Sequence, residues 1–114
     1  MMFFISAAPT VEILQPTYSV TTGDSITLEC TVTSNLPVTS VQWERNVDGT
    51  ITTITSTTDT NKYSGSTTDT PSLTIVSAAQ SDAGTYTCSA TNSVGTGQST
   101  TTTLSVTGSR CQAL

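Results

Sequence analysis

The feature that most limits what this chain can fold into is a period of two. Ile26, Leu28, Cys30 and Val32 alternate with Thr27, Glu29, Thr31 and Thr33. An extended segment with that pattern carries one apolar and one polar face. Similar short runs recur: Thr10 to Leu14, Tyr18 with Val20, Val41 with Trp43, and Ile51 with Ile54. Lys62 to Ser64, Leu73 to Val76, Tyr86 with Cys88 and Ala90, and Thr102 with Leu104 and Val106 complete the series. Turn residues separate them, as at Gln15-Pro16, Thr22-Gly23-Asp24, Asn35-Leu36-Pro37, Asp48-Gly49 and Asn92 to Gly97. No helical period is sustained, and the one helical hint is a single turn near Ala78-Ala79-Gln80. About eight or nine short strands in one domain's length predict an all-β sandwich or barrel.

Composition narrows the function. The chain has 114 residues, with 28 threonines and 16 serines. Threonine's branched Cβ suits a pleated surface. There is no histidine, which removes a Ser-His-Asp triad, a Cys-His dyad and histidine metal ligands. Three basic residues against eight acidic ones leave a net charge of −5 and no basic footprint for nucleic acid. No run of 18 apolar residues exists to span a membrane. With 34% apolar residues and 10% charged ones, the chain lacks the signature of disorder.

The cysteines are Cys30, Cys88 and Cys111, with no C-x-x-C among them. Two distant cysteines in a small, β-favouring chain suggest one disulfide and an oxidising compartment. The alternative is two buried free thiols in a reducing one. A Cys30–Cys88 bridge would close a loop of roughly 60 residues and contribute about 4 kcal/mol in the chain-entropy account. Cys111 is left over, either as an inter-chain bridge or as an exposed thiol. Residues 1–8 are apolar and end in small residues, as a truncated signal or a disordered leader would.

Together these residues resemble an immunoglobulin domain. Cys30, Trp43 and Cys88 have the Cys…Trp…Cys order of that fold. Asp82-Ala83-Gly84-Thr85-Tyr86-Thr87-Cys88 is similar to its D-x-G-x-Y-x-C. Cys88 to Gly95 resembles the C-x-A-x-N-x-x-G of the intermediate set, the I-set, and Lys62 to Ser66 resembles R-F-S-G-S. The resemblance covers residues 9–108 and leaves 109–114 as a tail. It implies two antiparallel sheets with Greek-key connections, a Cys30–Cys88 bridge under Trp43, and a tyrosine corner at Tyr86. It also implies a Lys62–Asp82 pair, in which lysine cannot make arginine's bidentate fork. The short stretch from Gly49 to Thr68 leaves little room for a further strand, which favours the I-set over a variable domain. The Thr-rich run from Thr50 to Thr60 leaves the neighbouring strands least defined.

The remaining features have ordinary explanations beside sharper ones. Trp43 is expected in the core. Asp82 and Glu44 could form a carboxylate pair, but Asp82 fits the corner turn and nothing else supports acid–base chemistry. Asp48-Gly49 and Asp24 lack the dense spacing of a calcium loop, and Asp48-Gly49 fits a hairpin turn. Clustered Ser and Thr can carry O-linked glycans or order water, or simply face solvent on strands. No N-x-[ST] sequon occurs. No enzyme activity, cofactor or metal is expected. The expected role is extracellular recognition or adhesion with a protein partner, homophilic or heterophilic. A structural spacer in a multi-domain protein and a soluble innate immune-recognition domain are the alternatives. Loops are the expected binding positions: Asn35 and Leu36, Asn46 and Asp48, Asn92 and Val94. Intact mass after secretion from a eukaryotic host should show one internal disulfide and one thiol that labels, at Cys111. A doubled mass that collapses on reduction would instead make Cys111 a bridge between chains.

Overall fold

Where the pattern alternates, the chain is extended. In the computed structural model, which describes residues 7–108, eleven strands form among the described residues. They are β1 (Thr10–Ile13), β2 (Thr17–Thr21), β3 (Ile26–Leu28), β4 (Cys30–Thr33), β5 (Ser40–Val47) and β6 (Thr50–Ile54). Then come β7 (Tyr63–Gly65), β8 (Leu73–Ile75), β9 (Gly84–Thr91), β10 (Thr96–Gln98) and β11 (Thr102–Thr107). A short 3-10 turn, Gln80–Asp82, precedes β9 beside the helical hint in the sequence. Residues 1–6 of the apolar leader and 109–114, with Cys111, lie outside the described residues.

One layer is a six-stranded sheet ordered β2-β11-β9-β5-β6, with β10 also on β9. The other contains the ladders β3-β8-β7 and β1-β4. Inward residues of both layers make the core, in which Trp43, Tyr86, Leu28, Ile54, Leu73 and Ile75 are fully buried. The Cys30–Cys88 disulfide joins β4 to β9 across the sandwich. Trp43 lies opposite Cys88 on one side and opposite Ile54 on the other. Its indole N–H donates to the Pro71 carbonyl at 2.8 Å, giving the buried ring's polar edge a partner.

Three details depart from the alternation. Residues 26–33, read as one strand, divide at Glu29, whose N–H donates to the Tyr18 hydroxyl at 3.0 Å instead of to a strand. The first strand also changes layers. β1 pairs with β4, but after Gln15-Pro16 the chain pairs as β2 with β11, in parallel, the one parallel ladder of the described strands. Pro16 has no donor, yet its carbonyl accepts from Thr103 N–H, and the Gln15 carbonyl accepts from the buried Thr102 hydroxyl at 2.8 Å. Finally, Ile51 and Ile54 are three apart and so point to opposite faces. Ile54 is buried, while Ile51 is 59% exposed.

β10 forms within what the sequence offers as a turn. It can approach the start of the chain because position 97 has no side chain. A Cβ at Gly97 would lie 1.8 Å from the Pro9 carbonyl oxygen. At Gly95, the glycine of the family-like motif, the nearest atom is Ala8 Cβ at 3.9 Å. Gly97→Ala should therefore cost about 1–3 kcal/mol in chemical denaturation, and Gly95→Ala less than about 0.5 kcal/mol. Equal costs would show that the β10–Pro9 approach does not constrain the fold.

Candidate functional site

The sequence-expected positions fall into two groups at opposite ends of β5. At eight residues and about 3.3 Å per residue, this strand separates the ends by roughly 25 Å. At its C-terminal end the chain buries a carboxylate. Asp82 is 2% exposed, and its carboxylate accepts from Ala79 N–H at 2.8 Å. Lys62 Nζ lies 2.6 Å from Asp82 Oδ2 and also donates to the Ser77 carbonyl at 3.0 Å. Arg45 Nη1 lies 3.6 Å from Asp82 Oδ1. Arg45 is a second cation that the motif did not supply. It lies between Trp43 and Val47 on the inward phase of β5, which could have flagged it. The Tyr86 hydroxyl donates to the Asp82 carbonyl at 2.5 Å. Burial pushes the Tyr86 phenol up to about 12; Arg45 at its hydroxyl pulls the other way, and Asp82 and Tyr63 push weakly upward. Every group here is engaged with another part of the domain, so the cluster is a clamp.

Asn46 and Asp48 lie at this same end. Asp48 and Gly49 have φ of 52° and 87°, the two positive values of a type I′ hairpin turn. The Asn46 side chain accepts from Gly49 N–H at 2.9 Å.

The other end carries the remaining loop positions. Asn92 is 3% exposed, because its amide N–H₂ donates to the Ala7 carbonyl and the Ser34 hydroxyl. Its amide oxygen accepts from Val94 and Gly95 N–H. Asn92 thus positions the loop, its side-chain groups engaged within the domain. Val94, at the tip, is 50% exposed. Ser34 also holds Leu36 through both backbone groups, so the 35–37 loop and the 92–95 turn are tied together. Asn35 is exposed beside the half-buried Leu36.

Between the ends lies a surface that the loop reading missed. Outward positions on the six-stranded sheet follow from its register. Thr17, Ser19, Thr21, Thr103, Ser105 and Thr107 come from β2 and β11. Thr85, Thr87 and Thr91 come from β9, where Ser89 shares their phase but is 3% exposed, and Ser40, Gln42, Glu44 and Asn46 come from β5. Ile51 and Thr53 complete it on β6, with Thr96 and Gln98 on β10. Glu44 is the one charged side chain in this set, and none is aromatic. A shallow recess of about 370 Å³ opens near Ser40, Gln42, Thr55 and Thr67, lined by no charged residue. Nothing in it can exchange a proton near neutral pH. Among the described residues, no cluster of three His, Cys, Asp or Glu side chains could hold a metal ion. No helix among them is long and apolar enough to cross a membrane.

A family model for the immunoglobulin I-set domain matches residues 9–106. Among solved structures, the chain is similar to one described for Dscam isoform specificity, at 26% identity and TM-score 0.70, over 90% of this chain and 25% of that one. It is also similar to the tandem Ig repeats of Dlar, at 26% identity and TM-score 0.68, over 90% and 51%. A third is the N-terminal Ig1-2 module of the Drosophila receptor protein tyrosine phosphatase DLAR, at 28% identity and TM-score 0.65, over 89% and 47%. This chain therefore spans a quarter to a half of these structures. No curated protein matches it.

The clamp makes a pH prediction. An unfolded tyrosine ionises near its ordinary value of about 10, two units below the buried Tyr86. The unfolded state therefore loses its proton first, and stability present below pH 10 falls as pH rises toward 12. Thermal melts from pH 8 to pH 11 should show that fall, and Tyr86→Phe should flatten it while lowering stability at pH 8 by about 1–2 kcal/mol. An unchanged alkaline slope in Tyr86→Phe would place the titrating group elsewhere.

Proposed function

The chain belongs to the immunoglobulin I-set family, and from that premise we propose that it is an extracellular recognition module that binds another protein through its six-stranded sheet face. The observation that carries this reading is the composition of that face. Five strands side by side about 4.8 Å apart, with β10 following β11 along the edge of β9, make a surface roughly 20 Å across, wide enough to contribute most of a standard interface. Hydroxyl and amide groups cover it, and their desolvation costs less than that of charges. A partner that supplies matching donors and acceptors recovers that cost. The absence of an outward aromatic removes the stacking platform that sugar recognition commonly uses, so a protein partner fits better than a glycan. The Cys30–Cys88 bridge supports an extracellular setting. The neighbours are proteins with several immunoglobulin domains, which also favours a second reading, a spacer within such an array.

The full chain, displayed as a tetramer, should stain cells bearing a partner when screened against a cell-surface receptor panel. Thr87→Arg, in the middle of the face, should weaken that staining at least about tenfold by placing a bulky side chain in the contact. Thr31→Arg, exposed on β4 in the opposite layer, should leave it unchanged. Loss by Thr31→Arg alone would move the site to the other layer, and a folded tetramer with no binding anywhere would favour the spacer.

A further inference from the structure

Strand β6 is the open edge of the six-stranded sheet. Its hairpin to β5 has the two-residue turn Asp48-Gly49, closed by the pair Val47 and Thr50. In such a hairpin the closing pair exchanges both hydrogen bonds, and bonded and unbonded pairs then alternate. Thr50, Thr52 and Ile54 therefore use their backbone groups on β5. Ile51 and Thr53 turn their N–H and C=O groups away from the sheet, toward no partner among the described residues. Thr50 to Thr53 are all exposed.

Edges are usually blunted by lysine, proline, an inward charge or brevity. β6 has none of these, being Thr-Ile-Thr-Thr-Ile, β-branched throughout and uncharged. The edge strand β7 has three residues and follows Lys62, and β1 carries Glu12 and follows Pro9. β2, at the far side of the same sheet, is also uncharged, but its outward side chains are Thr17, Ser19 and Thr21. Only β6 adds a large exposed apolar side chain, Ile51.

We propose that β6 pairs with β6 of a second copy of this chain, antiparallel and centred on Thr52. In that register Ile51 faces the partner's Thr53, and Thr53 faces the partner's Ile51. All four outward N–H groups then meet outward carbonyls, and both copies use the same patch, as a two-fold interface requires. Charge bears on where two copies can meet. Two chains of net charge −5 repel, and an uncharged strand is where they approach at least cost. Four hydrogen bonds and one short strand bury far less than a standard interface, so the dimer is weak, with Kd on the order of 10⁻⁴ M. The pairing goes beyond recognition by the sheet face and does not depend on it, since it can be measured without any other partner.

Sedimentation equilibrium of the full chain carrying Cys111→Ser, which removes covalent dimers, tests this from about 10 µM to about 1 mM. The expected result is a reversible monomer–dimer equilibrium. Thr53→Pro removes an outward donor without touching the β5 ladder, and Ile51→Lys places a charge at the edge. Each should weaken the dimer at least about tenfold, with the near-ultraviolet signal of Trp43 retained to show an intact fold. A wild-type chain that stays monomeric at the highest concentration would overturn the proposal. So would assemblies larger than a dimer, which indicate β6 pairing with β2, or a dimer that neither substitution weakens.

Discussion

The Cys30–Cys88 bridge and the tryptophan against it hold the two layers at one spacing, and the other contacts are made at that spacing. The buried apolar set is modest and includes both cysteines of the bridge. Trp43 links the layers a second time, because its ring packs in register with Cys88 while its N–H reaches the segment leading into β8. The covalent link acts mainly by removing freedom from the unfolded chain. The indole does the complementary work in the folded state by filling volume that smaller side chains would leave empty.

The two ends of the sandwich are fixed by different chemistry. At one, a buried carboxylate draws in Lys62, Arg45 and a backbone N–H, and its own carbonyl accepts from Tyr86. Burying Asp82 without those partners would be strongly unfavourable, so the cluster permits one arrangement of β5, β9 and the turn between β8 and β9. At the other end, the neutral amide of Asn92 makes four hydrogen bonds and fixes two loops and the start of the chain. Those four hydrogen bonds are neutral, in contrast to the charged cluster at the other end.

Much of this was legible in the sequence because period two and turn chemistry are local. Ile26 to Val32, Leu73 to Ile75 and the Asp48-Gly49 turn need only their neighbours to be read. What was illegible depends on partners distant in sequence. The break at Glu29 exists because a hydroxyl from Tyr18 reaches its N–H. The parallel β2–β11 ladder requires the first strand to cross between layers, which no local pattern encodes. Arg45 looks like an ordinary polar strand residue until Asp82 is beside it. Asn92 looks like a surface loop residue until Ala7 and Ser34 cover it. The hydroxyl face is hidden in plain composition: 28 threonines are visible in the sequence, but only register shows how many share one side.

That shared side gives the edge and the face a joint consequence. Antiparallel strands related by a two-fold axis keep their outward side chains on one side of the combined sheet. Two copies joined at β6 would therefore present their hydroxyl faces in the same direction, as one surface of twice the width. A polar face with a single charged side chain binds weakly, since each hydrogen bond gained replaces one to water. Doubling the surface adds no new kind of contact, yet it makes the second binding event intramolecular and raises avidity for a partner displayed in many copies. A weak edge pairing has the same character, being negligible for isolated chains and effective where copies are crowded. If the face binds and the edge pairs as proposed, attachment would depend on local density more than on the strength of any single contact.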